Sequence, residues 1–159
     1  MKVELSTTLQ APADQVWRWV QRPALLNWVA APLVKFRPIQ PTTLPEVWAD
    51  GEVRVSLLLF GVLPVGSQVI RVHREEEQEG EQSARYLVDM GEGDLVKTWH
   101  HRIRVVPERA GTTHYTDSVV VEAGPLTLFV WMFAQVFYRH RQRRLRALAR
   151  GGFKNVEGR

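Results

Sequence analysis

The stretch from Gly124 to Gly152, GPLTLFVWMFAQVFYRHRQRRLRALARGG, predicts one long helix. Proline suits the first turn, where its missing N–H costs no hydrogen bond, and a Gly-Gly pair is a typical helix stop. About 26 residues at roughly 1.5 Å each give a rod of about 39 Å, which is longer than packing in a small domain requires. The first half, 126–138, is apolar almost all round, whereas the second half carries arginines at positions 139, 141, 143, 144, 146 and 150. We therefore expect a sheet to wrap around the first half and the second half to project beyond it.

The remainder of the chain has the pattern of one strand, two short helices and a run of further strands. Strands are predicted over 2–9, 33–39, 52–60, 68–74, 82–90, 96–106 and 112–122, and helices over 11–20 and 23–29. Consecutive strands with short connections form an antiparallel meander, which must curl around something to bury one face. The predicted fold class is α+β, with about six to seven strands curved around the long C-terminal helix. Residues 1–150 are expected to form a single domain and 151–159 a flexible tail, and the acidic stretch 75–81 is expected to be a loop.

Alternation along each strand predicts which side chains face the helix. The expected inner positions are Val53, Val55, Leu57 and Leu59; Gln68, Ile70 and Val72; Ala84, Tyr86, Val88 and Met90; Trp99, His101, Ile103 and Val105; and Tyr115, Asp117, Val119 and Val121. A turn centred near Arg109 would place His101 opposite Asp117, Ile103 opposite Tyr115, and Trp99 opposite Val119. The inner face is therefore mostly apolar, with one polar pair.

That pair, His101 and Asp117, has two interpretations. It can be an acid–base or ligand-orienting dyad, in which the carboxylate fixes the imidazole tautomer. It can equally be a buried, mutually satisfied pair that adds specificity to the sheet. No glycine-rich phosphate loop, nucleophile elbow or metal-ligand spacing accompanies it.

Composition excludes several classes of protein. The 159 residues include no cysteine, so disulfides and thiolate chemistry are excluded. The longest apolar run, about 13 residues, is too short to span a bilayer, and the first ten residues have no apolar core of a signal peptide. We expect a cytoplasmic protein with no metal, no cofactor and no stable membrane insertion. The net charge of +4 does not by itself argue for nucleic acid, so a nucleic-acid partner is not expected.

The meander places different turns at its two ends. The turns at 61–66 and 91–95 share one end with the start of the long helix, and this end is apolar; it can be the mouth of a cavity, a region that the turns bury, or a homodimer contact. The acidic stretch and the arginine-rich half-helix share the other end. That end is either a solvated helix terminus with loose ion pairs or an anion or nucleic-acid patch. Arg141 and Arg144 face the buried side, and one of them is expected to hold a carboxylate.

Several short motifs resemble those of the START-like superfamily, also called SRPBCC or polyketide cyclase/dehydrase-like, and in particular its bacterial ligand-binding branch. The similar segments are APADQVW at 11–17, GVLPVG at 61–66, WHH at 99–101, THYTD at 113–117 and FYRHR at 137–141. The resemblance covers about residues 1–150 and implies the helix-grip fold with a deep apolar cavity between the sheet and the last helix. Members of the superfamily bind lipids, sterols, quinones, polyketides or hormones, some catalyse cyclisation or dehydration, and some act on ribosomes or as chaperone cofactors. No catalytic set of an enzyme branch transfers residue by residue.

The leading hypothesis is binding, sequestration or transport of a small hydrophobic ligand, such as a lipid, quinone, polyketide or aromatic molecule, in an internal cavity. The expected ligand-binding residues are Val55, Leu57, Leu59, Ile70, Tyr86, Val88, Met90, Trp99, Ile103, Tyr115, Val119, Phe129, Val130, Phe133 and Phe137. One alternative is a cyclase/dehydratase-type lyase that uses His101 and Asp117. A second alternative is an interaction protein that uses its arginine-rich helix end on RNA, the ribosome or an anionic surface.

Overall fold

A computed structural model describes residues 1–79, 82–109 and 111–157 of the chain. The chain runs β1 (Lys2–Leu9), α1 (Ala13–Val20), α2 (Pro23–Ala30), β2 (Val34–Gln40), β3 (Glu52–Leu59), β4 (Leu63–Glu79), β5 (Gln82–Gly93), β6 (Thr98–Arg109), β7 (Thr112–Glu122), a 3₁₀ turn (Gly124–Leu126), α3 (Thr127–Arg150) and α4 (Lys154–Glu157). The seven strands form one antiparallel sheet in the order β1-β7-β6-β5-β4-β3-β2. The predicted α+β fold, with two short helices after the first strand and a long C-terminal helix against a curved sheet, is confirmed.

The long helix is buried along one side from Ala134 to Ala149, whereas its first turns are largely exposed. A stripe with helical spacing is buried in α3: Ala134, Phe137, Tyr138, Arg141, Gln142, Leu145, Leu148 and Ala149. The apolar residues near its start are exposed, including Phe129 at 65% and Leu128 at 52%. The second half therefore packs against the domain and does not project beyond it, which corrects the expected division of the helix. α3 packs against β1, α2 and β7, and the long stems of arginine and glutamine pack on apolar neighbours as readily as aliphatic residues do.

The end of α3 is fixed by backbone geometry and by the aromatic residue that follows. Gly152 has φ 64°, the left-handed region that favours glycine, and its N–H donates to Ala149 O while Phe153 N–H donates to Leu148 O. These two hydrogen bonds form a Schellman motif, which turns the chain back towards the core. Phe153 is fully buried and stacks on Trp19 with 5.5 Å between ring centroids. Phe153 and Val156 of the segment predicted as a tail are thus buried, and residues 158 and 159 lie outside the described part of the chain.

Strand β5 presents the opposite face from the one that alternation predicts. Leu87 and Asp89 point towards α3, whereas Tyr86 and Val88 lie on the outer face. There they pack with Ala84 and Val106 in a small second cluster, and the Arg102 guanidinium lies 3.8 Å from the Tyr86 ring centroid. Apolar residues on both faces of a strand remove the contrast on which the prediction depended.

The β6–β7 pairing is displaced by two residues from the predicted register. His101 lies opposite Val119, and Ile103 opposite Asp117, because the pairing of β6 with β7 is centred one residue later than Arg109. Since a displacement of two residues preserves the side-chain face, His101 and Asp117 still share the concave face.

The acidic stretch is strand rather than loop as far as Glu79, where β4 ends. Glu75 pairs with His73 and Arg102, and Glu76 accepts from the Ser83 hydroxyl, so these carboxylates interact within the sheet. Glu81 lies outside the described residues. No helix in the described part of the chain is long and apolar enough to cross a membrane.

Candidate functional site

A cavity of about 400 Å³ lies between the concave face of the sheet, α2 and the inner side of α3. Leu25, Leu26 and Val29 of α2 contribute to one wall. Phe36 and Trp48 contribute from β2 and from the segment that precedes β3. The walls are largely apolar, which follows from the alternation of β3, β4, β6 and β7 and from the aromatic residues of α3.

Most of the predicted ligand-binding residues line this cavity. They are Leu57, Leu59, Ile70, Trp99, Ile103, Tyr115, Phe129, Val130, Phe133 and Phe137, and the predicted dyad residues His101 and Asp117 line it as well. The structure places these side chains on the cavity wall. That they bind a ligand remains a prediction.

Five predicted residues are not part of the cavity wall. Val55 and Val119 face inward, but both are fully buried within core clusters. Tyr86 and Val88 belong to the outer-face cluster, and Met90 is 41% exposed on the same side of the sheet. The reversed face of β5 therefore accounts for three of the five misplacements.

One end of the cavity opens among exposed apolar side chains. The cavity wall includes Leu95, Leu126 and Phe129, which are exposed by 54%, 48% and 65%. Val62 and Leu63 of the β3–β4 turn, together with Leu128 and Met132 of α3, are also exposed. We call this region the apolar rim: Val62, Leu63, Leu95, Leu126, Leu128, Phe129 and Met132. It lies at the end for which the sequence allows a cavity mouth, a region buried by the turns or a homodimer contact.

Asp117 is the centre of a hydrogen-bonded network in the cavity wall. Its Oδ1 accepts from His101 Nε2 at 2.7 Å and from the Tyr115 hydroxyl at 3.0 Å. Its Oδ2 accepts from Gln142 Nε2 at 3.0 Å, and the same amide nitrogen lies 2.8 Å from Leu5 O. Three donors thus converge on one buried carboxylate, which satisfies the requirement that buried charges be hydrogen-bonded.

The network sets the protonation of the dyad. Burial raises the pKa of Asp117, but the hydrogen bond from His101 and the charge of Arg141 outweigh it, so this pKa lies below its usual range. Burial lowers the pKa of His101, and the hydrogen bond to Asp117 only partly opposes this. Near neutral pH the dyad is therefore an aspartate and a neutral imidazole whose Nε2–H donates to Asp117.

The cavity wall also contains two charged residues: Asp89, which the sequence pattern places on the outer face of β5, and Arg141, which it places on the buried side of α3. Asp89 accepts the Arg71 backbone N–H at 2.9 Å, and burial raises its pKa to about 7. Arg141 is only 7% exposed and lines the cavity beside Tyr138, with 4.8 Å from the guanidinium carbon to the ring centroid. Its position in the inward stripe of α3 agrees with the buried side on which the sequence places Arg141.

Three other arginines of α3 have hydrogen-bond partners of their own. Arg144 Nε donates to Trp28 O at 3.0 Å, and its guanidinium lies over the Trp28 ring. Arg146 donates to the Thr7 hydroxyl, and Arg139 donates to Gln135 within the helix. Arg144 and Arg146 thus contact the domain, whereas Arg139, Arg143 and Arg150 are exposed. Among residues 1–79, 82–109 and 111–157, no cluster of His, Asp and Glu is placed to hold a metal ion.

Comparison with solved structures gives the same architecture. The chain is similar to a START superfamily protein from Mycobacterium smegmatis, with 16% identity, a TM-score of 0.65, and coverage of 94% of this chain and 97% of that one. It is also similar to the Zhui aromatase/cyclase from Streptomyces sp. R1128, with 18% identity, a TM-score of 0.57, and coverage of 98% and 95%. A truncated norcoclaurine synthase from Thalictrum flavum has 13% identity, a TM-score of 0.59, and coverage of 93% and 92%. At these identities the likeness shows the fold alone, and the START-like fold implied by the sequence motifs is confirmed.

Comparison with curated protein sequences gives no match. A family model described as "Domain of unknown function (DUF8410)" matches residues 7–149. That range contains the whole cavity wall described above, and it makes up most of the chain. The chain therefore belongs to the DUF8410 family and has the START-like fold.

Proposed function

We propose that this protein binds a small, mainly apolar molecule in the cavity between the sheet and α3, for sequestration or transport. The observation that carries the proposal is the cavity of about 400 Å³, with apolar walls, one polar cluster and an opening at the apolar rim. Small-molecule sites in proteins are typically concave and apolar, with a few polar groups that orient the ligand. The dimensions and chemistry of this cavity fit that description.

The structural neighbours support the proposal at the level of fold. Two of them carry enzyme names, an aromatase/cyclase and a synthase, and one is a START superfamily protein. The fold type thus serves more than one activity, so the choice between binding and catalysis depends on the residues of this cavity. Its apolar walls are the larger part of the site, and they favour binding.

A direct test uses N-phenyl-1-naphthylamine, an uncharged aromatic dye that fluoresces in apolar surroundings. We expect saturable binding to the wild-type protein. Leu57→Trp fills part of the cavity and should weaken binding by about tenfold or more, since the dye and the indole compete for the same space. The matched control is Val120→Trp on the outer face of β7, where the native side chain is 41% exposed. Failure of the dye to saturate, or an equal effect of the two tryptophans in folded variants, would argue against the cavity as a binding site.

A second candidate function, acid–base catalysis, is favoured by the His101–Asp117 contact in the cavity wall. A neutral imidazole whose Nε2–H donates to Asp117 carries a lone pair on Nδ1, which can accept a proton. The probe is 5-nitrobenzisoxazole: loss of its C3 proton to the base, with cleavage of the ring N–O bond, gives a coloured cyanophenolate. We expect His101→Gln to abolish any acceleration and His114→Gln, on the outer face of β7, to retain it. An unchanged rate in His101→Gln would eliminate this candidate.

A further inference from the structure

Arg141 is an unusual residue for the wall of an apolar cavity. It lies in the inward stripe of α3, between Tyr138 and Leu145, and only 7% of its surface is exposed. Its guanidinium lies near the rings of Tyr138 and Phe137, at 4.8 and 5.7 Å from the two centroids. A cation in such surroundings requires a partner to replace the water that it has lost.

The protein itself supplies that partner only in part. The Nε atom of Arg141 is buried and has no hydrogen-bond acceptor among the described residues. Within the same residues, no carboxylate oxygen lies within the 4.0 Å of an Arg141 nitrogen that an ion pair requires. Tyr138 is the neighbour whose hydroxyl interacts with it, and a neutral phenol does not balance a full positive charge.

The two carboxyl groups of the cavity are committed elsewhere. Asp117 already accepts three hydrogen bonds, from His101, Tyr115 and Gln142. Asp89 accepts the Arg71 N–H from β4. Burial lowers the pKa of Arg141, but Tyr138, Asp117 and Tyr115 together raise it above its usual value, so the guanidinium stays charged. A protonated guanidinium with unfilled donors thus faces the cavity.

We propose that the molecule bound in this cavity carries a carboxylate that pairs with the Arg141 guanidinium, while its apolar body extends towards the apolar rim. The inference rests on the proposed binding function and specifies its ligand class. A planar carboxylate matches the paired N–H donors of arginine, which a single alcohol oxygen cannot do. A monoanion is preferred to a phosphate dianion, because Asp117 is charged and a second full negative charge would face it directly.

The experiment compares a matched acid and alcohol, decanoate and 1-decanol, in displacing N-phenyl-1-naphthylamine. It is performed at about pH 6, where the acid is ionised. For the wild type we expect decanoate to displace the dye at an about tenfold lower concentration than decanol. The acid-to-alcohol ratio is then measured in Arg141→Met, in Arg141→Lys and in the control Arg143→Met, which changes an exposed arginine of the same helix. Because a ratio is used, a general effect of a substitution on the cavity cancels.

The expected ratio is about one in Arg141→Met, intermediate in Arg141→Lys and unchanged in Arg143→Met. If the wild type binds the dye but shows no preference for decanoate, or if Arg141→Met keeps the preference, the carboxylate assignment is wrong and the binding function stands. If neither the dye nor decanoate binds in calorimetric and fluorescence titrations, the proposed function fails, and this inference fails with it.

Discussion

Asp89 and His101 lie opposite each other on β5 and β6, and burial moves the pKa of each towards its neutral form. The groups that face Asp89 are the Arg71 backbone N–H on β4, His101 on β6 and the Arg141 guanidinium on α3. Arg71 and Arg141 stabilise the ionised carboxylate, but they do not overcome the loss of water. The result is a carboxyl group whose protonation changes within the physiological range.

This behaviour predicts a pH-dependent stability difference for Asp89→Asn. The folded-state pKa is about 7 against an ordinary value of 3.8, so the stability contributed by the protonated group is fully present below about pH 4 and is lost as pH rises to about 7. The amide cannot ionise and avoids this loss. The free energy of unfolding of the variant minus that of the wild type, measured in urea, should therefore be about 2 kcal/mol larger at about pH 8 than at about pH 5. The lowered pKa of His101 acts in the opposite direction, but it is common to both proteins. An equal difference at the two pH values would contradict a raised Asp89 pKa.

The polar residues of the cavity show what the sequence could and could not predict. The contact of His101 with Asp117 was predictable although the register was not, because a displacement of two residues keeps both side chains on one face. Asp89 was missed because its strand was assigned the wrong inner face, whereas Arg141 was predicted to face the buried side but was not assigned to the cavity. Hydrophobic patterning assigns charged residues to the solvent, and only a folded site reveals that one is held in a wall by its neighbours.

At the scale of elements, α3 has a firmly held C-terminal half and an exposed apolar start. Its length, its glycine stop and its contact with the sheet were predictable from spacing and composition. The half that the domain grips was not, since that depends on where α2 and β1 meet the helix. The face of β5 was unpredictable for a different reason, which is that both of its faces carry apolar residues.

The exposed start of α3 predicts that Phe129 contributes to binding more than to stability. Its ring lines the cavity while 65% of its surface is exposed, so Phe129→Ala should change the free energy of unfolding by about 0.5 kcal/mol or less. Dye affinity should fall by about threefold or more, because the ring loses contact with the ligand. The control is Val136→Ala on the same helix, which is 62% exposed and outside the cavity. Equal dye affinities for the two variants would show that the rim takes no part in binding.

In the segment after α3, we expect Phe153 to contribute to stability, in contrast to Phe129, which we expect to contribute mainly to binding. This ring is fully buried against Trp19, and the residue adopts φ 64°, which a non-glycine residue accepts only when its surroundings hold it. Phe153→Ala should cost about 3–5 kcal/mol of stability in urea unfolding, whereas Lys154→Ala, at an exposed neighbouring position, should cost about 0.5 kcal/mol or less. A small effect of Phe153→Ala would restore the interpretation of this segment as a loose tail.

On the scale of the whole molecule, the two ends of the cavity have opposite chemistry. The charged and hydrogen-bonding groups lie around Asp117 and Arg141, beside the buried part of α3. The exposed apolar groups lie near the start of the helix. Under the proposed function, we expect this arrangement to orient an amphipathic molecule without many specific contacts.

The overall architecture could be inferred from the sequence because the meander and the helix are each encoded locally. The polarity of the cavity could not, since it arises from elements distant in the chain.

The difference in burial between the start and the remainder of α3 has a kinetic consequence. Amide hydrogens at 128–133 should exchange with solvent much faster than those at 137–149, because only the latter lie where the helix is buried, and hydrogen-exchange mass spectrometry would resolve the two segments. Uniform protection along the helix would contradict this gradient. If the first turns open without disturbing the core, we expect the rate of this local opening to set the residence time of a bound molecule. Substitutions such as Phe153→Ala, which accelerate global unfolding, should leave that residence time unaltered, since release and denaturation proceed over separate barriers.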